Sequence, residues 1–149
     1  MNYFDTSWLI PLVAEEAASR QVGEQLASLD RGSLFTSHWA LVEFASMLAR
    51  EIRMGAMTAQ EAMQLRAKFE DLIQSSFMLI LPQHQDYSKA VSFLADAKSG
   101  LRGPDAMHLA IAANHRASQI LSLDKKMIFA GRSLGLPISS GLTDYQSSS

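Results

Sequence analysis

Short apolar runs alternate with longer amphipathic stretches along most of the chain. The apolar runs have the length of strands and lie at 3–4, 33–36, 77–81 and 119–123. Between them, apolar residues recur at helical spacing, which predicts helices over 15–29, 39–53, 59–74, 87–98, 105–116 and 126–134. Pro137 and Ile138 are compatible with a last edge strand. This alternation predicts an α/β domain whose short, mostly parallel sheet lies between two layers of helices.

Polar residues and one proline stand where several helices are predicted to begin. Thr6 or Ser7 can cap the first helix, and Ser37 and Thr58 can cap two later ones. Pro104 is well placed to begin the helix that contains residues 105–116. In a parallel sheet ligands bind at the carboxyl ends of the strands, so this edge is where a site is expected.

Composition and charge limit the class of protein. The 149 residues favour one domain, and 48% hydrophobic content favours a folded chain. We expect this domain to span 1–145 and to be followed by a disordered tail, 146–149. The formal net charge of −2 does not predict strong nonspecific binding to nucleic acid. The absence of cysteine, of a basic leader and of a long apolar run predicts a cytoplasmic protein outside the membrane.

Four acidic residues lie in apolar surroundings near the predicted junctions of strands and helices: Asp5, Glu43, Asp105 and Asp124. Junctions of this kind meet at one edge of a parallel sheet, so the four side chains can share a pocket. Uncompensated buried charge is costly, and such a pocket therefore needs a cation. Carboxylates and water are ligands that suit Mg²⁺ or Mn²⁺.

Each acid taken alone also has a structural interpretation. Asp5 can cap a helix, and Asp124 can begin a turn. Asp105 lies near a predicted helix N-terminus, where a negative charge is favourable without any metal. Glu43 is the hardest to explain in this way, because its neighbours Val42 and Phe44 are apolar.

His108 lies three positions after Asp105, a helical spacing that permits a joint metal site. The preferred interpretation is a packed histidine that makes a structural hydrogen bond. Trp8 and Trp39 are interpreted as core or interface residues rather than as platforms for stacking bases.

The acidic residues lie in four segments that together resemble a known family, the PIN-domain ribonucleases, in particular the VapC-type toxins of bacterial toxin–antitoxin pairs. The segments are Tyr3-Phe4-Asp5-Thr6-Ser7, Val42-Glu43-Phe44, Leu101-Arg102-Gly103-Pro104-Asp105-Ala106-Met107-His108-Leu109-Ala110 and Leu121-Ser122-Leu123-Asp124. The third is the closest match, since it is similar to the family's Asp-Ala-Leu-His-Leu-Ala. In the fourth the family often has Thr where this chain has Ser122, which keeps the hydroxyl. The resemblance covers nearly the whole chain.

The resemblance implies a PIN-like three-layer α/β/α fold and cleavage of RNA that depends on Mg²⁺ or Mn²⁺. It implies that Asp5 and Asp105 are the principal metal ligands. Glu43 and Asp124 would bind directly, through water, or at a second metal. It also implies a homodimer that is held inactive by a small VapB-like antitoxin. The apolar stretch 52–63 gives weak support for such a partner surface.

Hydroxyls and basic residues near the acids have two interpretations each. Thr6 and Ser122 can orient carboxylates or waters through hydrogen bonds, or they can satisfy backbone groups at helix ends. Phosphate contacts are expected from four basic residues that flank Asp105 and Asp124 in sequence, although each can be a solvated surface charge: Lys98, Arg102, Lys125 and Lys126. Arg50 and Arg53 are further candidates with the same alternative.

Three functions compete at this point. The first is a metal-dependent endoribonuclease that hydrolyses RNA phosphodiester bonds as a toxin. The second is a catalytically silent PIN-like module that binds antitoxin or RNA. The four acids argue against it, because a site that no longer catalyses a reaction need not keep four charges. The third is another Mg²⁺ phosphoryl-transfer domain, a receiver or a phosphatase. It fits poorly, because a receiver has paired acids after its first strand and a phosphatase has Asp-x-Asp, whereas Asp5 is followed by Thr6 and Ser7.

Overall fold

A computed structural model of the chain describes residues 1–143. Five strands form one sheet in the order β3-β2-β1-β4-β5, and every neighbouring pair is parallel. The strands are β1 (Asn2–Phe4), β2 (Leu34–Ser37), β3 (Met78–Ile80), β4 (Gln119–Leu121) and β5 (Ile138–Ser139). The prediction of a short, mostly parallel sheet is therefore confirmed.

The central strand β1 lies between β2 and β4, and Tyr3 is paired with Phe35 on one side and Ile120 on the other. The chain passes from β1 to β2 on one side and reaches β4 on the other only after β3 and four α-helices. The strand order therefore reverses at β1. In parallel sheets such a reversal opens a crevice at the carboxyl ends of the strands, directly after residues Phe4 and Leu121.

Seven α-helices connect the strands within the described residues. They are α1 (Thr6–Leu9), α2 (Ser19–Ala27), α3 (His38–Arg53), α4 (Ala59–Ser76), α5 (His84–Phe93), α6 (Gly103–Asn114) and α7 (Lys125–Ser133). The start of α4 follows its predicted cap closely. Thr58 accepts the Glu61 amide, and the Glu61 carboxylate accepts the Thr58 amide. This reciprocal pair satisfies two amides that a helix N-terminus otherwise leaves open.

Helices cover both faces of the sheet, because neighbouring residues of each strand point to opposite sides. Phe4 packs into an apolar cluster with residues of α1, α3 and α4. Tyr3 packs into a second cluster, which contains residues of α5, α6 and α7. Helix α6 contributes an unbroken buried run from Ala106 to Ala112 to this second cluster. The molecule therefore has the predicted three layers of helix, sheet and helix.

Several predicted boundaries are wrong. The helix predicted over 15–29 is confined to Ser19–Ala27, and the one predicted over 87–98 is His84–Phe93, followed by a separate 3-10 turn at Ala97–Ser99. The last of these helices begins early because the Asp86 carboxylate accepts the Gln83 amide at 2.8 Å, which satisfies an amide at the helix N-terminus. The strand predicted over 119–123 ends at Leu121, because the chain turns there toward the cap of α7.

No helix within residues 1–143 is long and apolar enough to cross a membrane. The last two residues of the predicted domain, 144–145, and the predicted disordered tail, 146–149, lie outside the described residues.

Candidate active site

An open cleft of about 750 Å³ lies at the carboxyl end of β1, between helices α3 and α6. All four predicted acids line it: Asp5, Glu43, Asp105 and Asp124. Asp5 directly follows β1, Glu43 lies on α3, Asp105 is in the first turn of α6, and Asp124 precedes α7. The fold therefore brings together side chains that are as much as 119 positions apart in sequence, Asp5 and Asp124.

Asp5 is the most buried of the four acids, with 3% of its surface exposed. Its Oδ1 accepts hydrogen bonds from the Ser7 hydroxyl at 2.7 Å and the Trp8 amide at 3.0 Å, and its Oδ2 accepts one from the Ser122 hydroxyl at 2.6 Å. A carboxylate offers about four acceptor positions, so one on Oδ2 stays open. Burial raises the pKa of Asp5, and the nearby His108 and these hydrogen bonds oppose that rise.

Asp5, rather than Thr6 or Ser7, caps α1, which corrects the predicted cap. Its side chain accepts the Trp8 amide, as the structural interpretation of this acid expected. The cap leaves both hydroxyls free for other partners. The Ser7 hydroxyl donates to Asp5 and accepts the Leu123 amide, whereas Thr6 contacts Glu43.

Glu43 is held through one of its two carboxylate oxygens. Oε1 accepts a hydrogen bond from the Thr6 hydroxyl at 2.7 Å and contacts Nε2 of His108. About 24% of the side chain is exposed, and it lines the cleft. Within residues 1–143 no hydrogen-bond donor reaches Oε2, so this oxygen is available to a ligand in the cleft.

Asp105 is half-buried, and no hydrogen-bond donor among the described residues reaches its carboxylate. Burial and the negative charges of Asp124, Asp5 and Glu43 raise the pKa of Asp105 to about 6. His108 opposes this rise. The carboxylate of Asp105 is therefore the most open of the four acceptors, and its ionised form is disfavoured by its neighbours.

Asp124 caps α7. Its Oδ1 accepts the amides of Lys126 at 2.9 Å and Met127 at 3.2 Å. Its own amide donates to the Ser122 hydroxyl at 3.0 Å. Asp124 therefore starts a helix, as its structural interpretation expected, and also presents a negative charge to the cleft and to Asp105.

Thr6 and Ser122 each contact a carboxylate, and Ser122 also satisfies a backbone group. The fully buried Ser122 hydroxyl donates to Asp5 Oδ2 and accepts the Asp124 amide. The Thr6 hydroxyl donates to Glu43. The Ser122 hydroxyl therefore does both of the things that the sequence allowed: it orients a carboxylate and it satisfies a backbone amide at a helix end.

His108 is 1% exposed and makes hydrogen bonds with both ring nitrogens. Nδ1 contacts the Tyr3 hydroxyl at 2.7 Å, and Nε2 contacts Glu43. This agrees with the interpretation of a packed histidine that makes structural hydrogen bonds. Tyr3 was not singled out in the sequence, because a tyrosine in an apolar strand gives no sign of a polar partner 105 positions away.

The basic residues near the cleft differ from the predicted set. Arg102 lines the cleft, as do Arg50 and Arg53 from the far end of α3. Lys125 and Lys126 instead line a separate hollow with Ser99, Gly100 and Phe129. Lys98 lies in the adjoining 3-10 turn and is absent from the lining of the cleft.

Two residues that the sequence did not place at the acidic site also border the cleft. Glu51 adds a carboxylate near Arg50 and Arg53. Trp39 is half-buried, lines the cleft and donates its indole N–H to the Pro104 carbonyl at 3.1 Å. This bond ties the first turn of α3 to the first turn of α6.

The donor set fits a hard divalent cation that keeps part of its water. In residues 1–143 no three His, Cys, Asp or Glu side chains lie close enough together to hold one metal ion. Mg²⁺ keeps several waters and is usually bound through one or two carboxylates, so it does not require such a group. Open oxygen positions on Asp5, Glu43 and Asp105 face one cleft, and two of these carboxylates together with water would suffice to hold a hydrated Mg²⁺ or Mn²⁺.

A three-layer fold with an acidic cleft at the carboxyl edge of a parallel sheet defines an α/β protein with a candidate active site at that edge. Residues 3–131 match the PIN domain family, and the chain therefore belongs to that family. This confirms the resemblance found in the sequence. A comparison with curated proteins gave no match.

Three solved structures have a similar fold. VapC20 of Mycobacterium tuberculosis, described as a toxin that cleaves the sarcin–ricin loop, has a TM-score of 0.69 at 15% identity, covering 88% of this chain and 95% of that one. VapBC-1 of nontypeable Haemophilus influenzae has a TM-score of 0.69 at 16% identity, covering 95% and 98%. FitAcB of Neisseria gonorrhoeae has a TM-score of 0.69 at 15% identity, covering 95% and 98%. At these identities the similarity concerns the fold.

Proposed function

We propose that this protein is a Mg²⁺- or Mn²⁺-dependent endoribonuclease that hydrolyses RNA phosphodiester bonds and acts as the toxin of a toxin–antitoxin pair. One observation carries the proposal: four acids from distant parts of a PIN domain line a single open cleft. Membership of the family and the fold shared with VapC20 support the same conclusion.

In this proposal Asp5 and Asp105 are the principal metal ligands, and Glu43 and Asp124 act directly, through water, or at a second ion. A bound divalent cation would activate a water molecule and offset negative charge on the phosphate. Asp105 suits this role because its carboxylate accepts no hydrogen bond from the described residues and three neighbouring negative charges disfavour its ionised form. The other three acids are oriented by the protein itself.

Hydroxyl groups keep two of the carboxylates in place. Ser7 donates a hydrogen bond to Oδ1 of Asp5 and Ser122 donates one to Oδ2, while Thr6 donates to Oε1 of Glu43. Such contacts orient a ligand and preserve its geometry when the cation leaves. The side chains therefore need little rearrangement to receive the ion.

Basic residues around the acidic cleft would hold the RNA backbone. Arg102, Arg50 and Arg53 line the cleft and are the nearest candidates for phosphate contacts. We propose that Lys98, Lys125 and Lys126, which lie together beside the start of α7, contact the backbone further from the cleavage point. A positively charged border is needed because the acids alone repel a polyanion.

The same proposal includes a small VapB-like antitoxin, a homodimer and a cytoplasmic location. Met54 follows α3 and Met63 lies in α4, and these large apolar side chains, 67% and 69% exposed, are ones that a partner could cover. The fold shared with VapBC-1 and FitAcB supports an antitoxin. Light scattering at micromolar concentration tests the dimer, and copurification with the product of a neighbouring small gene tests the antitoxin.

The activity is tested with the purified chain and a panel of structured and single-stranded RNAs. The panel includes an RNA that carries the sarcin–ricin loop, since VapC20 is described as cleaving it. We expect cleavage with Mg²⁺ or Mn²⁺, no cleavage after chelation, and none by Asp105→Asn. Asp30→Asn, which changes an exposed acid outside the cleft, is the matched control and should cleave like the wild type.

Two results would contradict the proposal. Cleavage that survives chelation would exclude the metal mechanism, and cleavage that persists in Asp105→Asn would indicate a contaminant. RNA or antitoxin binding without cleavage of any RNA would favour the alternative, a catalytically silent binding module.

A further inference from the structure

A chain of buried polar side chains runs from the sheet to the acidic cleft. The Ser37 hydroxyl at the end of β2 contacts the Tyr3 hydroxyl at 2.9 Å, and Tyr3 contacts Nδ1 of His108 at 2.7 Å. On the other side of the ring, Nε2 of His108 contacts Oε1 of Glu43. Ser37, Tyr3 and His108 are at most 1% exposed, so water does not satisfy these groups.

One set of donors and acceptors satisfies every member of this chain. In the His108 tautomer that carries its proton on Nε2, this nitrogen donates to Oε1 of Glu43. Nδ1 then accepts, so the Tyr3 hydroxyl donates to it and in turn accepts from Ser37. Burial and the charges of Asp5 and Glu43 raise the pKa of Tyr3, which keeps its hydroxyl protonated as this order requires.

The position of these contacts on Glu43 has a consequence for the cleft. His108 and the Thr6 hydroxyl both bind Oε1, from two directions. The Thr6 and His108 atoms lie 3.2 Å from each other. Two contacts on one oxygen fix the plane of the carboxylate, and they leave Oε2 free of donors from the described residues.

We propose that Tyr3 and His108 are positioning residues that hold Glu43 by Oε1 and thereby keep Oε2 directed to the cation or to a water on it. Burying three polar groups in a row is costly in an apolar core, where leucine or phenylalanine would fill the same space. The polar chain ends at Glu43, which lines the cleft, so its contacts can fix the position of a carboxylate there. The inference rests on the proposed function of the cleft.

The test compares three variants of the full chain with the wild type. Tyr3→Phe removes only the hydroxyl that orients the His108 ring. His108→Leu removes the contact with Glu43, whereas His108→Gln keeps a donor of similar reach. Tyr87→Phe changes a tyrosine that is 51% exposed and is the matched control for the lost hydroxyl.

Mn²⁺ affinity by calorimetry and the kinetics of RNA cleavage are the readouts, both measured well below the melting temperature of each variant. We expect Tyr3→Phe and His108→Leu to weaken Mn²⁺ binding and lower kcat by about 10–100-fold, with little change in KM for RNA. His108→Gln should recover most of both losses. Tyr87→Phe should equal the wild type.

A double-mutant cycle separates positioning from packing. If His108 acts through Glu43, His108→Leu should cost little further Mn²⁺ affinity in a Glu43→Gln background. The proposal would be overturned if His108→Leu lost the same Mn²⁺ affinity in the wild-type and Glu43→Gln backgrounds. It would also be overturned if folded His108→Leu bound Mn²⁺ as tightly as the wild type. Should His108→Leu fail to fold, Tyr3→Phe decides alone, because Phe preserves the volume of the side chain. Absence of Mn²⁺ binding by the wild type would instead refute the proposed function.

Discussion

Ser122 donates a hydrogen bond of 2.6 Å to Oδ2 of Asp5, although the two residues are 117 positions apart. The contact exists because β1 and β4 are neighbours and their pairing continues past β1, where the Asp5 amide donates to the Leu121 carbonyl at 3.1 Å. The register of the central strands therefore sets the direction of a carboxylate in the cleft. Fold and site depend here on the same contact.

Ser122→Ala should destabilise the protein by about 1–3 kcal/mol, because it leaves Asp5 Oδ2 and the Asp124 amide without the partner that burial requires. Urea denaturation in the presence of chelator measures this change. Ser133→Ala removes an exposed hydroxyl that contacts only a carbonyl of its own helix and should stay within about 0.5 kcal/mol of the wild type. Equal effects of the two substitutions would contradict the role assigned to Ser122.

Asp105→Asn should melt at the same or a higher temperature than the wild type without metal, because it removes a charge that three neighbouring carboxylates repel. With metal, the wild type should melt at a higher temperature than Asp105→Asn. A cation that binds only the native state stabilises it by about 2.7 kcal/mol at a hundredfold excess over its dissociation constant, and the variant should lose most of that gain. Thermal melting with chelator and with rising Mn²⁺ measures both effects.

Asp30→Asn provides the control for this prediction, since Asp30 is an exposed acid that does not line the cleft. It should keep the wild-type response to Mn²⁺. Asp5→Asn is less suitable for the comparison, because Asp5 also caps α1 and accepts three hydrogen bonds. An undiminished Mn²⁺ response in Asp105→Asn would remove Asp105 from the set of ligands.

The metal-free protein should lose stability as pH rises from about 4 to about 6. The pKa of Asp105 is about 6 in the folded protein and about 3.9 in an unfolded chain, so the native state binds more protons in that window. Stability is then greatest below the unfolded value and falls as pH passes through the folded one. Urea denaturation with chelator at several pH values should give a shallower fall for Asp105→Asn than for the wild type. An equal slope would contradict the raised pKa.

Local sequence patterns were sufficient to predict the three layers of the fold and to group the four acids that line the cleft. Thr58 and Glu61 specify the start of α4 through contacts three residues apart, and the sequence contains everything needed for that prediction. The acids could be grouped because each lies near a predicted junction of a strand and a helix. A parallel sheet brings all such positions to one edge whatever the order of its strands.

Contacts that depend on the strand order could not be predicted. Tyr3 reaches His108 only because α6 packs on the face of β1 that carries Tyr3, and the sequence does not specify that face. The basic border was predicted from closeness in sequence, but Lys126 lies past the cap of α7 and lines a different hollow from Arg102. The sequence presents a metal ligand and a helix cap as alternatives for Asp5. The two carboxylate oxygens allow both, because Oδ1 caps the helix and Oδ2 keeps an open position.

Gly131 marks a tight contact between α7 and β5. A Cβ at this position would lie 2.7 Å from Cγ2 of Ile138 and 3.4 Å from Cδ2 of Leu109. Ile138 is β-branched and buried, so it cannot move aside easily. Gly131→Ala should therefore destabilise the protein by about 1–3 kcal/mol in urea denaturation. Gly23→Ala, in α2 with nothing within 4 Å, should instead stabilise it by about 0.5–1 kcal/mol.

Arg102→Gln should weaken RNA binding and reduce its dependence on salt. Arg102 is exposed and lines the cleft immediately before α6, and in the proposed function it contacts the RNA backbone beside Asp105. Each phosphate contact on a single strand releases about 0.7 of a counterion, so losing one contact should lower the slope of log K against log salt by about 0.7. Because Arg102 holds the backbone rather than the reacting group, KM should rise while kcat changes little. Fluorescence anisotropy of a noncleaved RNA complex with chelator, at several salt concentrations, measures the slope.

Lys89→Gln makes the same charge change on α5 and is the matched control, since Lys89 is exposed and does not line the cleft. If Arg102 acts only through the net charge of the protein, the two variants should lose the same affinity and show the same slope, because long-range charge effects do not depend on one contact. A smaller slope for Arg102→Gln than for Lys89→Gln would place the RNA backbone at the cleft. A fall in kcat with unchanged KM would mean that Arg102 acts on the reacting phosphate itself, and its role as a backbone contact would have to be abandoned.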